Sequence, residues 1–205
     1  MKKYFYLAIL TIVLVACSQS QEKKAEVMIR ESLKTTLFKP ETYRPVETKV
    51  DSAYSPYDDP ELYKEMIKLI ELSNEIDELK EKAKDAKSKM AMWDSPYSTA
   101  YGKNEYREAK EEYEETNAKM EKLREKGLSQ YMLTSAMLKA DRKFVGFKAM
   151  HNYRADNNAG NTLIGNTVFF IDKNFEKIMY SLDVDEYDKM QEVIKQLEEE
   201  LEENE

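Results

Sequence analysis

Residues 69–93 read LIELSNEIDELKEKAKDAKSKMAMW, and Leu69, Leu72, Ile76, Leu79, Ala83, Ala86, Met90 and Trp93 fall in an unbroken three-four spacing. Apolar residues recurring every 3.5 positions keep one stripe of a helix facing a partner helix, which is the coiled-coil pattern. A second run, Tyr106, Ala109, Tyr113, Thr116, Met120, Leu123 and Gly127, repeats the spacing. Between them, residues 94–103 hold a proline, a glycine and two serines, so they read as a loop. Two heptad runs joined by a short loop predict an antiparallel helical hairpin over residues 61–127, with small Ala83, Ala86 and Ala109 letting the arms approach closely. Tyr97 and Tyr101 at its tip are side chains of the type that anchor interfaces.

Upstream, Ala25, Met28, Ile29, Leu33 and Leu37 are spaced as one face of a helix that ends before Pro40. Tyr43 to Tyr54 alternates as a strand, and Pro45 marks it as an edge or a strand start. The Asp-Asp-Pro of residues 58–60 can open the hairpin's first helix. Downstream, a further helical turn or more follows Gly127 and brings the chain to three strands. On the first, Val145, Phe147, Ala149, His151 and Tyr153 are expected on one face; the second runs from Leu163 to Ile171, and the third follows an Asp-Lys-Asn turn. Tyr187, Met190, Ile194, Leu197 and Leu201 predict a closing helix. The expected fold class is α+β: a small antiparallel sheet with flanking N- and C-terminal helices and a long inserted coiled-coil hairpin. The base then comprises residues 25–60 and 128–205.

The N-terminus has its own logic. Lys2 and Lys3 precede an apolar run, residues 4–16, broken only by Thr11. A helix spanning a bilayer needs about 20 residues, so this run has the length of a secretory signal core instead. It ends Leu14-Val15-Ala16-Cys17, which resembles the lipobox of bacterial lipoproteins. That resemblance implies a signal peptide over residues 1–16, cleavage before Cys17, acyl chains on Cys17, and a lipidated tether over residues 17–24. The implied address is the cell envelope: a membrane held through N-terminal lipid, and in a diderm cell an outer membrane, facing the periplasm or the cell surface. Cys17 is the only cysteine, so its acylation would leave no thiol for catalysis, redox switching or zinc.

Two internal stretches carry a second resemblance. Leu37-Phe38-Lys39-Pro40-Glu41-Thr42-Tyr43 resembles the Leu-x-x-Pro-x-Ser-Tyr junction of small bacterial envelope lipoproteins. Gly146 to Asn161, containing His151-Asn152-Tyr153-Arg154-Ala155-Asp156-Asn157-Asn158-Ala159-Gly160, is similar to a hairpin of the same proteins and precedes an aromatic strand, Val168 to Asp172. It departs from their pattern at Asp156, where they have lysine, and at Asn161, where they have a second glycine. The resemblance covers about 80 residues of the mature chain and misses the heptads. It implies a fold and an address, not a reaction.

Charge and composition exclude several classes. The net charge is −8, but residues 183–205 alone hold eleven acids against two lysines, which leaves the rest close to neutral. No basic stripe of the kind nucleic-acid binding requires is present. A single histidine rules out zinc sites built on two or three imidazoles. No Gly-x-Ser-x-Gly elbow occurs. Asp156, Asn158 and Gly160 sit as in a calcium loop, but Thr167 stands at the twelfth position where a bidentate glutamate belongs. No cofactor, metal site or catalytic residue is therefore expected.

His151, Arg154, Asn157 and Gly160 form the one polar cluster that stands out. Gly160 permits the positive φ of a tight turn, Asn157 can bond turn backbone, and Arg154 offers a fork for a carboxylate or phosphate. The cluster has two readings: a buried histidine beside a turn fixed for folding, or a ligand site. The functional expectation is a non-catalytic, lipid-anchored envelope protein that binds or spaces other components, a protein partner or a second copy, through its hairpin. The alternative is a small-ligand-binding or enzymatic base using His151 and Arg154.

Overall fold

The computed structural model describes residues 20–203; Cys17 and the signal and lipid-anchor expectations lie outside them. The chain forms, in order, α1 (Gln21–Thr36), a 3-10 turn (Pro40–Thr42), β1 (Arg44–Ser55), α2 (Pro60–Trp93), α3 (Ala100–Leu138), β2 (Lys143–Asp156), β3 (Thr162–Asp172), β4 (Ile178–Asp183) and α4 (Val184–Glu203). This is an α+β fold. The described residues divide into two compact units, residues 20–60 with 142–193, and residues 61–141 with 194–203.

The first unit is built on a four-stranded antiparallel meander in the order β1-β2-β3-β4. Helix α1 lies across one face: Ala25, Ile29 and Leu33, spaced four apart, are buried against Ala149 of β2 and Phe169 and Ile171 of β3. Burying each larger aliphatic side chain contributes about 1.5–3 kcal/mol. On the other face Phe170 of β3 meets Tyr187 of α4, with ring centroids 6.2 Å apart. The edge strand β1 carries Pro45, Glu47, Lys49 and Asp51, a proline and alternating charges that discourage pairing with a second sheet.

Two local features depart from simple pattern reading. Helix α1 starts at Gln21, where Ser20 caps it and accepts from the Lys23 amide at 3.4 Å. The polar segment read as tether is thus helical from Gln21. In β2, Ala53 pairs with Gly146 but Tyr54 pairs with Phe144, so Val145 is an extra residue in the ladder. That bulge breaks the alternation expected to put Val145 beside Phe147. Phe144 takes the place instead, its ring 5.4 Å from that of Phe147.

The second unit holds the hairpin. Its arms are antiparallel: the Gln130 amide donates to the Glu65 carboxylate at 2.8 Å near one end, and Lys89 pairs with Glu112 at 3.5 Å near the other. The seam is made of the small and heptad residues, with Ala83, Ala86, Ala109, Thr116 and Met120 buried. Leu69, Leu72, Ile76 and Leu79 are only half-buried, as expected where two helices alone share a stripe. The outer faces carry i,i+3 ion pairs such as Lys64–Glu61, Lys80–Asp77 and Arg124–Glu121. Hydrogen bonds from Lys68 and then Gln130 hold the Glu65 carboxyl below the ordinary range.

The second arm does not end at Gly127. It continues unbroken to Leu138 and begins at Ala100 within the expected loop, giving 39 residues and a length of about 58 Å at 1.5 Å per residue. Gly127 faces Ile76 of the first arm, with its missing Cβ position 3.7 Å from the Ile76 Cδ1. That is ordinary van der Waals distance, so a Cβ would fit there. Residues 194–203 of α4 cluster with the hairpin unit.

Candidate functional site

The side chains around His151 come from three neighbouring segments of the sheet unit. Alternation along β2 sends His151 to the α1 face, where it is completely buried. The 3-10 turn at Pro40–Thr42 delivers Tyr43 to the same place, and β1 delivers Thr48, the register partner of His151. The Tyr43 hydroxyl lies 2.8 Å from His151 Nε2, and the Thr48 hydroxyl lies 2.8 Å from Nδ1. A neutral imidazole has one donor and one acceptor nitrogen, and two hydroxyls satisfy both. Burial lowers the histidine's proton affinity, with Glu26 opposing more weakly, so His151 is neutral at physiological pH. Tyr43 is pushed up to about 12, by burial first and then by repulsion from Glu26, so its phenol keeps its proton.

Aromatic packing locks this arrangement. The His151 ring stacks on Tyr153 at 5.6 Å and on Tyr43 at 6.0 Å. Tyr153 in turn requires Gly165 opposite it on β3, because a Cβ there would stand 2.3 Å from the Tyr153 Cζ. Neither Tyr43, Thr48 nor Gly165 stood out in the sequence as a partner of His151. The Leu-x-x-Pro junction that ends in Tyr43 was the one available sign.

The expected cluster does not assemble into one site. Arg154, three residues after His151, points to the opposite sheet face and is exposed. Asn157 and Gly160 build the β2–β3 turn: Gly160 has φ +86° and donates its amide to the Asn157 carbonyl at 3.0 Å, while the Asn157 side chain accepts from the Asn161 amide at 3.0 Å. Those are turn-forming roles.

A cavity of about 270 Å³ does adjoin Tyr43, lined by Arg30, Lys34, Pro40, Tyr43 and Pro45. Its cations are already held, Arg30 by Glu26 at 2.9 Å and Lys34 by Glu31 at 2.6 Å. On the other sheet face a second polar group was not anticipated from sequence. Lys148 Nζ donates to Asp58 at 2.7 Å and to the Tyr187 hydroxyl at 2.9 Å. Burial works against the lysine's charge, but the hydrogen bonds to Asp58 and Tyr187 outweigh it and raise its pKa. Among the described residues no group of three or more histidine, cysteine, aspartate or glutamate side chains is placed to hold a metal ion, and no helix is long and apolar enough to cross a membrane.

Exposed apolar side chains occur on both units: Phe38, Leu163 and Ile164 on the sheet unit, and a further set on the hairpin. Met92 is 73% exposed, Tyr97 93% and Tyr101 64% at its tip, and Leu128 and Met132 are 62% and 64% exposed along the second arm. Beside the latter, Lys68, Leu72, Gln130 and Leu133 line an open groove between the arms. Comparison with protein-family models, with curated proteins and with solved structures finds no match.

Proposed function

We propose that the chain is a lipid-anchored cell-envelope protein of non-catalytic, binding or scaffolding type, tethered through Cys17, whose helical hairpin contacts a protein partner or a second copy. The observation that carries the contact reading is the row of large apolar side chains left in water on the hairpin, Leu128 and Met132 above all. Apolar side chains at an interface are held by their removal from water, and methionine and aromatic residues are enriched there. The tether rests on the lipobox resemblance at Leu14 to Cys17.

A second reading, a small-ligand-binding or enzymatic base, has the cavity beside Tyr43 in its favour. It is the weaker one, since both nitrogens of His151 are engaged and Arg154 lies on the other face. Lysine-reactive cross-linking on intact cells separates the two. The double substitution Leu128→Glu with Met132→Glu is expected to abolish the higher-mass adducts formed by the unsubstituted chain while Arg154→Ala keeps them. Adducts that survive the hairpin substitutions would overturn the contact reading.

A further inference from the structure

The end of the sheet unit beside the start of α1 carries a continuous row of aromatic rings. Phe175, in the β3–β4 turn, has its centroid 4.4 Å from that of Phe147. Phe147 lies 5.4 Å from Phe144, and Phe144 lies 5.8 Å from Tyr54. Three cations from three different segments stand over this row. Lys24 of α1 is 5.8 Å from the Phe175 centroid, and Lys173 of the β3–β4 turn is 5.9 Å from that of Phe144. Arg142, which precedes β2, is 4.5 Å from the Tyr54 centroid. All three are exposed, and none is in an ion pair among the described residues. The turn itself is tightly built. Phe175 has φ +58°, a left-handed conformation that bulky residues rarely enter. Asp172 imposes it: its carbonyl accepts from the Phe175 amide at 3.1 Å, and its carboxylate accepts from the amides of Asn174, Glu176 and Lys177 at 3.1, 2.7 and 2.6 Å. Backbone strain of this kind persists only where the surroundings enforce it, and it gathers where a side chain has a use.

We infer that this end of the sheet unit rests on the headgroups of the bilayer that holds the acyl chains of Cys17. The inference depends on the tether reading above. Chain length names the occupant. Ser20 caps α1, and the three peptide links from Cys17 to Ser20 reach about 11 Å at full extension. One helical turn further, the Lys24 Cα is at most about 17 Å from the acylated residue. A face that joins aromatic rings to lysine and arginine is the kind that lies in the headgroup layer, the stems along apolar surface and the charges at the phosphates. Net charge is not the argument: residues 21–24, 141–144 and 172–177 hold six bases and four acids. Position selects the membrane. Two or more acyl chains already hold a protein firmly, so contact at this end sets orientation rather than affinity.

Nitroxide quenching tests this on the lipidated protein, expressed from its full sequence and reconstituted in phosphatidylcholine vesicles that include lipid with a nitroxide on its headgroup. With Cys17 acylated, a thiol introduced by Asn174→Cys in the β3–β4 turn, or by Ala159→Cys in the β2–β3 turn at the other end of β3, is the single site for a fluorescent label. Flotation reads the anchor; quenching reads the contact. The expected result is quenching of about twofold or more in the β3–β4 turn and little in the β2–β3 turn. Adding Lys24→Glu with Lys173→Glu should reduce the first to the level of the second, with flotation and circular dichroism unchanged. Equal quenching in the two turns, or quenching that survives the lysine substitutions, would overturn the contact while flotation leaves the anchor standing. A chain that does not float would overturn the anchor and this inference with it.

Discussion

The sheet unit and the hairpin unit solve the same problem, enclosing apolar surface with few glycines and no disulfide among the described residues, in opposite ways. In the sheet unit each unusual side chain is closed off by partners distant in sequence: His151 by Tyr43 and Thr48, Lys148 by Asp58 and Tyr187, Tyr153 by the gap at Gly165. In the hairpin the contacts repeat every turn and the ion pairs are local and solvated; both units leave large apolar residues outside, Leu128 and Met132 on the hairpin and Phe38, Leu163 and Ile164 on the sheet unit. Exposed i,i+3 pairs stabilise by a few tenths of a kcal/mol at most, so they leave the outer face free to be used. The difference teaches that conspicuous residue types in the sheet unit are held by partners distant in sequence, whereas the hairpin's polar contacts are mostly local and leave its outer face available.

Substitutions break this comparison in graded steps. His151→Ala should have the largest effect, about 3 kcal/mol in urea unfolding, because it opens a cavity and strands the hydroxyls of Tyr43 and Thr48. A loss under about 0.5 kcal/mol would mean that the site is loosely packed. Acidification should act in the same place with a smaller effect. Burial depresses His151's affinity for a proton below its ordinary 6.5, so as pH falls through that value the unfolded chain takes up a proton that the fold resists. Stability should therefore decline as pH falls below about 6.5 and be flat well above it, with the slope gone in His151→Ala. No other histidine titrates in that window. The smallest effect belongs to the hairpin: Leu128→Glu with Met132→Glu should change unfolding by about 0.5 kcal/mol or less, although it removes the cross-linked adducts.

The fold was largely legible because two periodicities, 3.5 in the hairpin and 2 in the strands, each recur many times. Boundaries were missed where a single residue was given a local meaning that packing overrode. The hairpin is expected to end at Gly127, yet its second helix runs on unbroken to Leu138. Val145 fits strict alternation, yet the bulge at Gly146 hands its place to Phe144. The site was less legible. Asn157 and Gly160 declare a turn from their own chemistry, whereas the partners of His151 lie 108 and 103 residues away and carry no mark of the pairing. Arg154 is near His151 in sequence, but three residues along a strand of period two put them on opposite faces.

Site-specific photo-cross-linking in intact cells tests the division of labour most directly, with p-benzoylphenylalanine placed at Met132 on the hairpin arm and at Lys34 in the wall of the cavity beside Tyr43. The account predicts protein adducts from Met132, identifiable by mass spectrometry as a partner or a second copy, and none from Lys34. Adducts from Lys34 with none from Met132 would contradict it and make the sheet unit the part that meets the rest of the cell.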